Sequence, residues 1–363
     1  MEEENKETKQ QIEEETTDTE TADEVKTTEK EDSEKKPKKK KTKAKPPIII
    51  LSVAALILVV IGLIIFLVKH WEGSGEFYID TSLDTESETD DRILLMPLSM
   101  IRTNDDGITK IVIFGNDTFG DDSDGPSVCK LLQENTTATI YDCTFPGSTM
   151  VSSDPRNPSV SDISLDYFSF FWLFDSAKNH DLSEQWERID RIEGINTAMY
   201  REHLKTLESL DFNDIDFVLV CYDGHDYLKG YPPVGEELYS VDCTNGVIYG
   251  FNEKHTYLYP ELQVIYVAPC FCYARDESGN RVDANLYKIN GLTLTDNIMF
   301  LRDKTAEYGY CYIDDYFGVN INSETAAQYL TKDDVVPNQE GKKMIAAHII
   351  KRFLRVVESE EKQ

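Results

Sequence analysis

Ile48 opens and Val68 closes a run of 21 residues with no charge and a single hydroxyl, at Ser52. An apolar stretch of this length has few structural outcomes. Wound as a helix, it reaches roughly 30 Å, the thickness of a bilayer's hydrocarbon core. Buried helices of soluble proteins are seldom so uninterrupted. A cleaved signal sequence normally begins with a short basic region. Here the leader runs to residue 46, and Trp71-Glu72-Gly73-Ser74-Gly75 is a poor small-residue cleavage site. The expectation is one transmembrane helix, residues 47–69, with the membrane as partner.

The leader, residues 1–46, holds 15 acidic residues and 12 lysines and has no aromatic side chain. Such a segment buries too little apolar surface to offset its ordering entropy and is expected to be disordered. Eight of its lysines fall between Lys35 and Lys45, beside the apolar run. Positive charge at that flank predicts a cytoplasmic N-terminus and an extracellular C-terminal part. The same lysines could also meet anionic lipid, although setting topology accounts for them alone. Residues 70–91, acidic and rich in threonine, read as a stalk, and residues 92–363 as the extracellular domain.

Beyond the run lie 52 acidic and 25 basic residues. That balance argues against nucleic acid as a partner, because a polyanion would be repelled. All seven cysteines lie on this side: Cys129, Cys143, Cys221, Cys243, Cys270, Cys272 and Cys311. An odd number spread through a large domain suits small buried hydrophobes, with at most one or two bridges, better than a disulfide scaffold. Cys270 and Cys272 lack the spacing and the second pair that a zinc site requires. No cofactor is expected.

Short apolar runs alternate with helical stretches along the outer part. Strands are predicted at 111–114, 138–141, 217–222, 262–268 and 310–313. Helices are predicted at 128–133, 167–174, 196–210 and 296–307. Asn338 is placed to cap a last helix whose Ile345, Ile349 and Phe353 share a face. Buried strands joined through helices favour a parallel sheet with helices on both sides, and pockets in such sheets gather at the strands' carboxyl ends. Gly115, Gly147 and Asp223 all fall at those ends.

In order, these blocks read Gly115-Asn116-Asp117-Thr118, then Gly147, then Asp223-Gly224-His225-Asp226-Tyr227, and finally Asp333-Asp334-Val335-Val336-Pro337-Asn338. Together they resemble the blocks of the SGNH/GDSL hydrolases over about residues 111–353. The resemblance implies a three-layer α/β/α, flavodoxin-like fold, and an ancestry among enzymes that cleave esters or remove acetyl groups from carbohydrate. It also marks the departures. Asn116 stands where the family has aspartate, and Asp117 where it has the nucleophilic serine. Asp223 replaces a glycine, His225 the oxyanion-hole asparagine, and Val336 the catalytic histidine. Gly147, Asp226 and Asp333 are retained.

Serine-esterase chemistry needs a hydroxyl activated by a base, and donors aimed at the developing oxyanion. Val336 cannot take a proton, so ordinary turnover is expected to be lost. Thr118 or Ser123 as nucleophile, or His348 as base, would be escape routes. A third route lies in Asp117, Asp223, His225 and Asp226, whose carboxylates and imidazole could hold a divalent ion or perform unconventional acid–base chemistry. Their spacing matches no metal signature, and a hydrated acidic turn, with His225 bonded to an adjacent carboxylate, is the simpler account of them.

Tyr227, Tyr231, Tyr249, Phe251, Tyr257 and Tyr259 could line a ligand site if exposed. Asn116-Asp117-Thr118 and Asn135-Thr136-Thr137 match glycosylation sequons, which matter only in a compatible secretory system. The expectation is a membrane-anchored, degenerate SGNH/GDSL-like domain that binds or positions cell-envelope carbohydrate. Asp117, Gly147, Asp223, His225, Asp226 and Tyr227 are its candidate ligand-binding residues. A hydrolase with an altered centre and a protein-interaction domain are the alternatives.

Overall fold

The computed structural model describes residues 89–101, 106–155, 165–355 and 357. All belong to the compact unit Gly73–Gln363. The expected leader, membrane helix and most of the stalk lie outside the described residues. Among those described, no helix is long and apolar enough to cross a membrane.

Five parallel strands form the main sheet in the order β2-β1-β3-β4-β7, where β1 is Lys110–Gly115, β2 Thr139–Thr144, β3 Phe217–Cys221, β4 Gln263–Val267 and β7 Cys311–Ile313. This is the flavodoxin-like 2-1-3-4-5 order, with the direction of winding reversing beside β1. The chain alternates as expected for a sheet covered on both faces. Val112, Phe114, Val218 and Val220 enter one core, while Ile111, Ile113, Phe217 and Leu219 enter the other.

Helices α1 (Val128–Asn135) and α6 (Gln339–Ile349) cover the second face. The first is covered by α2 (Phe170–Lys178), α3 (Thr197–Glu208), α4 (Thr244–Leu258) and α5 (Leu294–Glu307). Their starts follow capping chemistry. Asn196 accepts from Met199 N–H, Thr293 and Asp296 form a capping box, and Asn338 accepts from Glu340 and Gly341 N–H.

Helix α4 and a hairpin are among the elements without a counterpart in the sequence expectations. Helix α4 spans the segment expected to supply ligand-facing aromatics. Gly246 and Gly250 interrupt its pattern, yet both are close-packed: a Cβ would meet the Ser240 carbonyl oxygen at 1.9 Å and the Phe171 ring at 2.8 Å. The other is an antiparallel hairpin of β5 (Tyr273–Arg275) and β6 (Arg281–Asp283). All seven cysteines are buried and free, consistent with small core hydrophobes.

At the far edge, Arg92 bridges Tyr312 of β7 in antiparallel sense. Asp90 N–H donates to Asp314, and Asp314 N–H donates to Asp91. Residues 90–92 are thus tied into the domain at the junction with the expected stalk.

Candidate functional site

The carboxyl ends of β1 and β3 lie side by side, and glycine at 115 is what lets them close. A Cβ there would stand 2.4 Å from the Cys221 carbonyl oxygen. The chain then turns at Asp117–Gly120 and at His225–Leu228, presenting two short loops to each other.

Asp223 is the hub. Its Oδ1 accepts from Asn116 Nδ2 at 2.8 Å, from the His225 N–H at 3.1 Å, and faces His225 Nδ1 at 2.6 Å. Its Oδ2 accepts from the Thr118 hydroxyl at 3.2 Å. Asn116 answers by accepting the Asp223 N–H at 3.3 Å and by donating to the Ser148 carbonyl at 3.1 Å. Two departures from the family pattern are therefore one change. A carboxylate at 116 would face another at 223; the amide donates instead.

Asp117 sits on the opposite side of the same crevice. Its Oδ2 accepts the Gly147 N–H at 2.7 Å, where Gly147 holds a φ of 88° that favours glycine. One oxygen of Asp117, one of Asp223 and one nitrogen of His225 lie within 4.8 Å of one another.

Electrostatics follow from this crowding. The Asp223 charge, opposed by burial, pushes the His225 pKa up to about 9. Burial works to raise Asp223, but the His225 charge and hydrogen bonds from His225 and Asn116 outweigh it and hold that carboxyl low. Burial, and then the charge of Asp223, raise Asp117. At neutral pH the pair is imidazolium and carboxylate, and an imidazolium is no general base.

The retained acids have become loop staples. Asp226 accepts from Met150 N–H at 3.0 Å and Val151 N–H at 2.7 Å, and burial pushes its pKa up to about 6. Asp333 accepts from Val335 and Val336 N–H at 2.9 and 3.0 Å and from the Thr331 hydroxyl at 2.6 Å. Val336 is nearly buried where the family has its base. The hairpin secures this loop, with Arg281 bonding Asp334 Oδ1 at 3.0 Å and Arg275 holding the other oxygen.

The first two escape routes do not assemble. Thr118 donates to Asp223 and Ser123 donates to Asp121, so each hydroxyl is bonded to a carboxylate and not to an imidazole. His348 is buried far along α6, its Nδ1 2.7 Å from Asp315. Tyr227 is buried and its hydroxyl donates to the Tyr287 carbonyl. Tyr257 is exposed, but it lies near the end of α4, which leads to the amino end of β4, away from the site. Asn116 is fully buried, so the first sequon cannot carry a glycan in the folded domain.

Two open clefts flank Asp117. One, of about 490 Å³, is lined by Asp121, Asp122, Ser123, Leu165, Glu193 and Met199 among others. The second, of about 390 Å³, runs past Asp124, Lys332, Asp333 and Val336. Asp121, which lines both, is held from α6: Lys342, with essentially no exposure, donates to the Asp121 carbonyl at 2.7 Å and reaches Asp124 at 3.0 Å.

The fold is distantly SGNH/GDSL-like. Strand order and the placement of the blocks at the strand ends carry this from within the chain. No protein-family model matches the sequence, and no curated protein matches it. Among solved structures, a Lactobacillus plantarum protein is similar at 13% identity and a TM-score of 0.44, over 69% of this chain and 97% of that one. A protein described as "a possible lipase" from Chitinophaga pinensis has 14% identity and a TM-score of 0.41, over 68% and 98%. A lipase/acylhydrolase from Enterococcus faecalis has 12% identity and a TM-score of 0.38, over 69% and 97%.

Proposed function

We propose that this domain binds and positions cell-envelope carbohydrate at a membrane surface without serine-esterase turnover. The contact between Asp117 and Gly147 carries the second half of that reading. In the hydrolase layout the Gly147 N–H faces the oxyanion; here the protein's own carboxylate accepts it. Position 117 therefore offers no hydroxyl, position 336 offers no base, and the retained donor is already satisfied.

The cleft beside Asp117 supports binding. Carboxylates of Asp121, Asp122 and Glu193 and the Ser123 hydroxyl can accept from sugar hydroxyls, while Leu165, Ile195 and Met199 offer an apolar wall. Residues 48–68 would anchor the domain, with the lysine cluster on the cytoplasmic side. The test is retention of the full chain, in detergent, on insoluble envelope polysaccharide. Retention that weakens in Asp121→Ala/Asp122→Ala supports the reading, and none above a matched acidic control protein refutes it.

A hydrolase with an altered centre is the second reading, favoured by the 2.6 Å contact between Asp223 and His225 beside Asp117. Turnover of acyl esters that disappears in a folded His225→Ala variant would establish it.

A further inference from the structure

We propose that Asp117, Asp223 and His225 form a binding site for a single first-row divalent cation, Zn²⁺ or Mn²⁺. The three come from two loops that face each other only because β1 and β3 are neighbours in the sheet. Among the described residues they are the only group of three or more His, Cys, Asp and Glu with one ligand atom each within 4.8 Å of the others. Metal–ligand bonds of about 2.1 Å set ligand atoms up to about 4.2 Å apart, so closing on an ion takes only small side-chain rotations.

Geometry around the set matches what metal sites require of their outer contacts. A ligating imidazole is usually oriented by a carboxylate, and ligating carboxylates are themselves held by donors. His225 is so oriented by Asp223. Asp223 takes donors from Asn116 and Thr118, and Asp117 takes one from Gly147. Asp117 and Asp223 are therefore fixed by donors outside the set, and His225 by Asp223 within it. Two carboxylates and one imidazole favour Zn²⁺ or Mn²⁺ over Mg²⁺ and Ca²⁺, which prefer all-oxygen shells.

Three protein ligands leave coordination positions for outside oxygens, and Asp117 lines both open clefts. The inference goes beyond carbohydrate binding and stands without it, since the probe is the metal alone. A contrast is the buried group of His348, Asp315 and Asp91, where His348 has no exposure.

Calorimetric titration of the full chain in detergent, with ZnCl₂ and separately MnCl₂ in metal-free buffer, tests the site. One equivalent per chain is expected, with affinity falling tenfold or more in Asp117→Asn and in His225→Gln. Asp276→Asn, at the turn of the hairpin, should bind as the native chain does. Unfolding midpoints provide a second measurement. Zn²⁺ should raise that of the native chain and leave that of Asp117→Asn unmoved, the asparagine still being able to accept from Gly147. Absence of saturable uptake below millimolar metal, or uptake that all variants share, would overturn the proposal. Loss of metal binding with retention on polysaccharide intact would sink this inference alone.

Discussion

Asn116 and Asp223, 107 residues apart, are joined twice: the Asn116 amide donates to the Asp223 carboxylate at 2.8 Å, and the Asp223 N–H returns a bond to the Asn116 carbonyl. Both side chains are buried. Asn116→Asp would set two carboxylates against each other with only His225 to balance them. The expected cost is about 3 kcal/mol of unfolding free energy. The exchange Asn116→Asp/Asp223→Asn, which rebuilds one donor and one acid, should recover at least half of it in urea titrations.

Restoring the nucleophile should not restore an esterase. Asp117→Ser supplies a hydroxyl and frees the Gly147 N–H, but Val336 still offers no base and His225 is held as an imidazolium. Hydrolysis of a chromogenic acetyl ester by this variant is expected to stay at the buffer rate. A rate tenfold above buffer would show that His225 can act as base.

Lys342 is a buried ammonium whose partners all belong to the loop after Asp117. Lys342→Met leaves the Asp121 carbonyl without that donor and frees Asp124 to solvent. A loss of about 1–3 kcal/mol is expected, on the scale of a hydrogen bond to a charged group. Limited proteolysis should find new cleavage between residues 121 and 125. Unchanged cleavage would mean the loop is held by other contacts.

The buried group at the sheet's far edge predicts a pH dependence. Burial depresses His348, yet bonds to Asp315 and Asp91 outweigh it and push its pKa up to about 10. The folded pKa lies above the ordinary 6.5, so folding takes up a proton. This stabilisation is complete below pH 6.5 and is lost as pH rises through about 10. In that window Asp91, held low, and Asp315, pushed up to about 6, are ionised over most of the range. The slope of unfolding free energy between pH 6.5 and 9.5 should be negative and should flatten in His348→Gln. Equal slopes in both would remove His348 from the account.

Strands β1, β3 and β4 were legible in sequence because burial on both faces leaves near-continuous apolar runs. The α6 cap was legible because Asn338 directly precedes the apolar face it starts. Helix α4 was hidden by Gly246 and Gly250, whose close packing shows only in three dimensions. Nor could local pattern reveal the hairpin's hold on Asp334, formed by Arg275 and Arg281 more than fifty residues earlier. At the site, the sequence showed which positions had changed. That Asn116 and Asp223 compensate each other, and that Asp117 takes the Gly147 donor, depends on the sheet bringing distant loops together.

Asp117 accepts the Gly147 N–H that a hydrolase of this layout would aim at the oxyanion. Release of acetate and of chromogenic acyl groups by the full chain, measured beside Asp117→Ala and His225→Ala, tests it most directly. No turnover above buffer is expected in any of the three. Turnover by the native chain that vanishes in either folded variant would contradict it and establish a working centre.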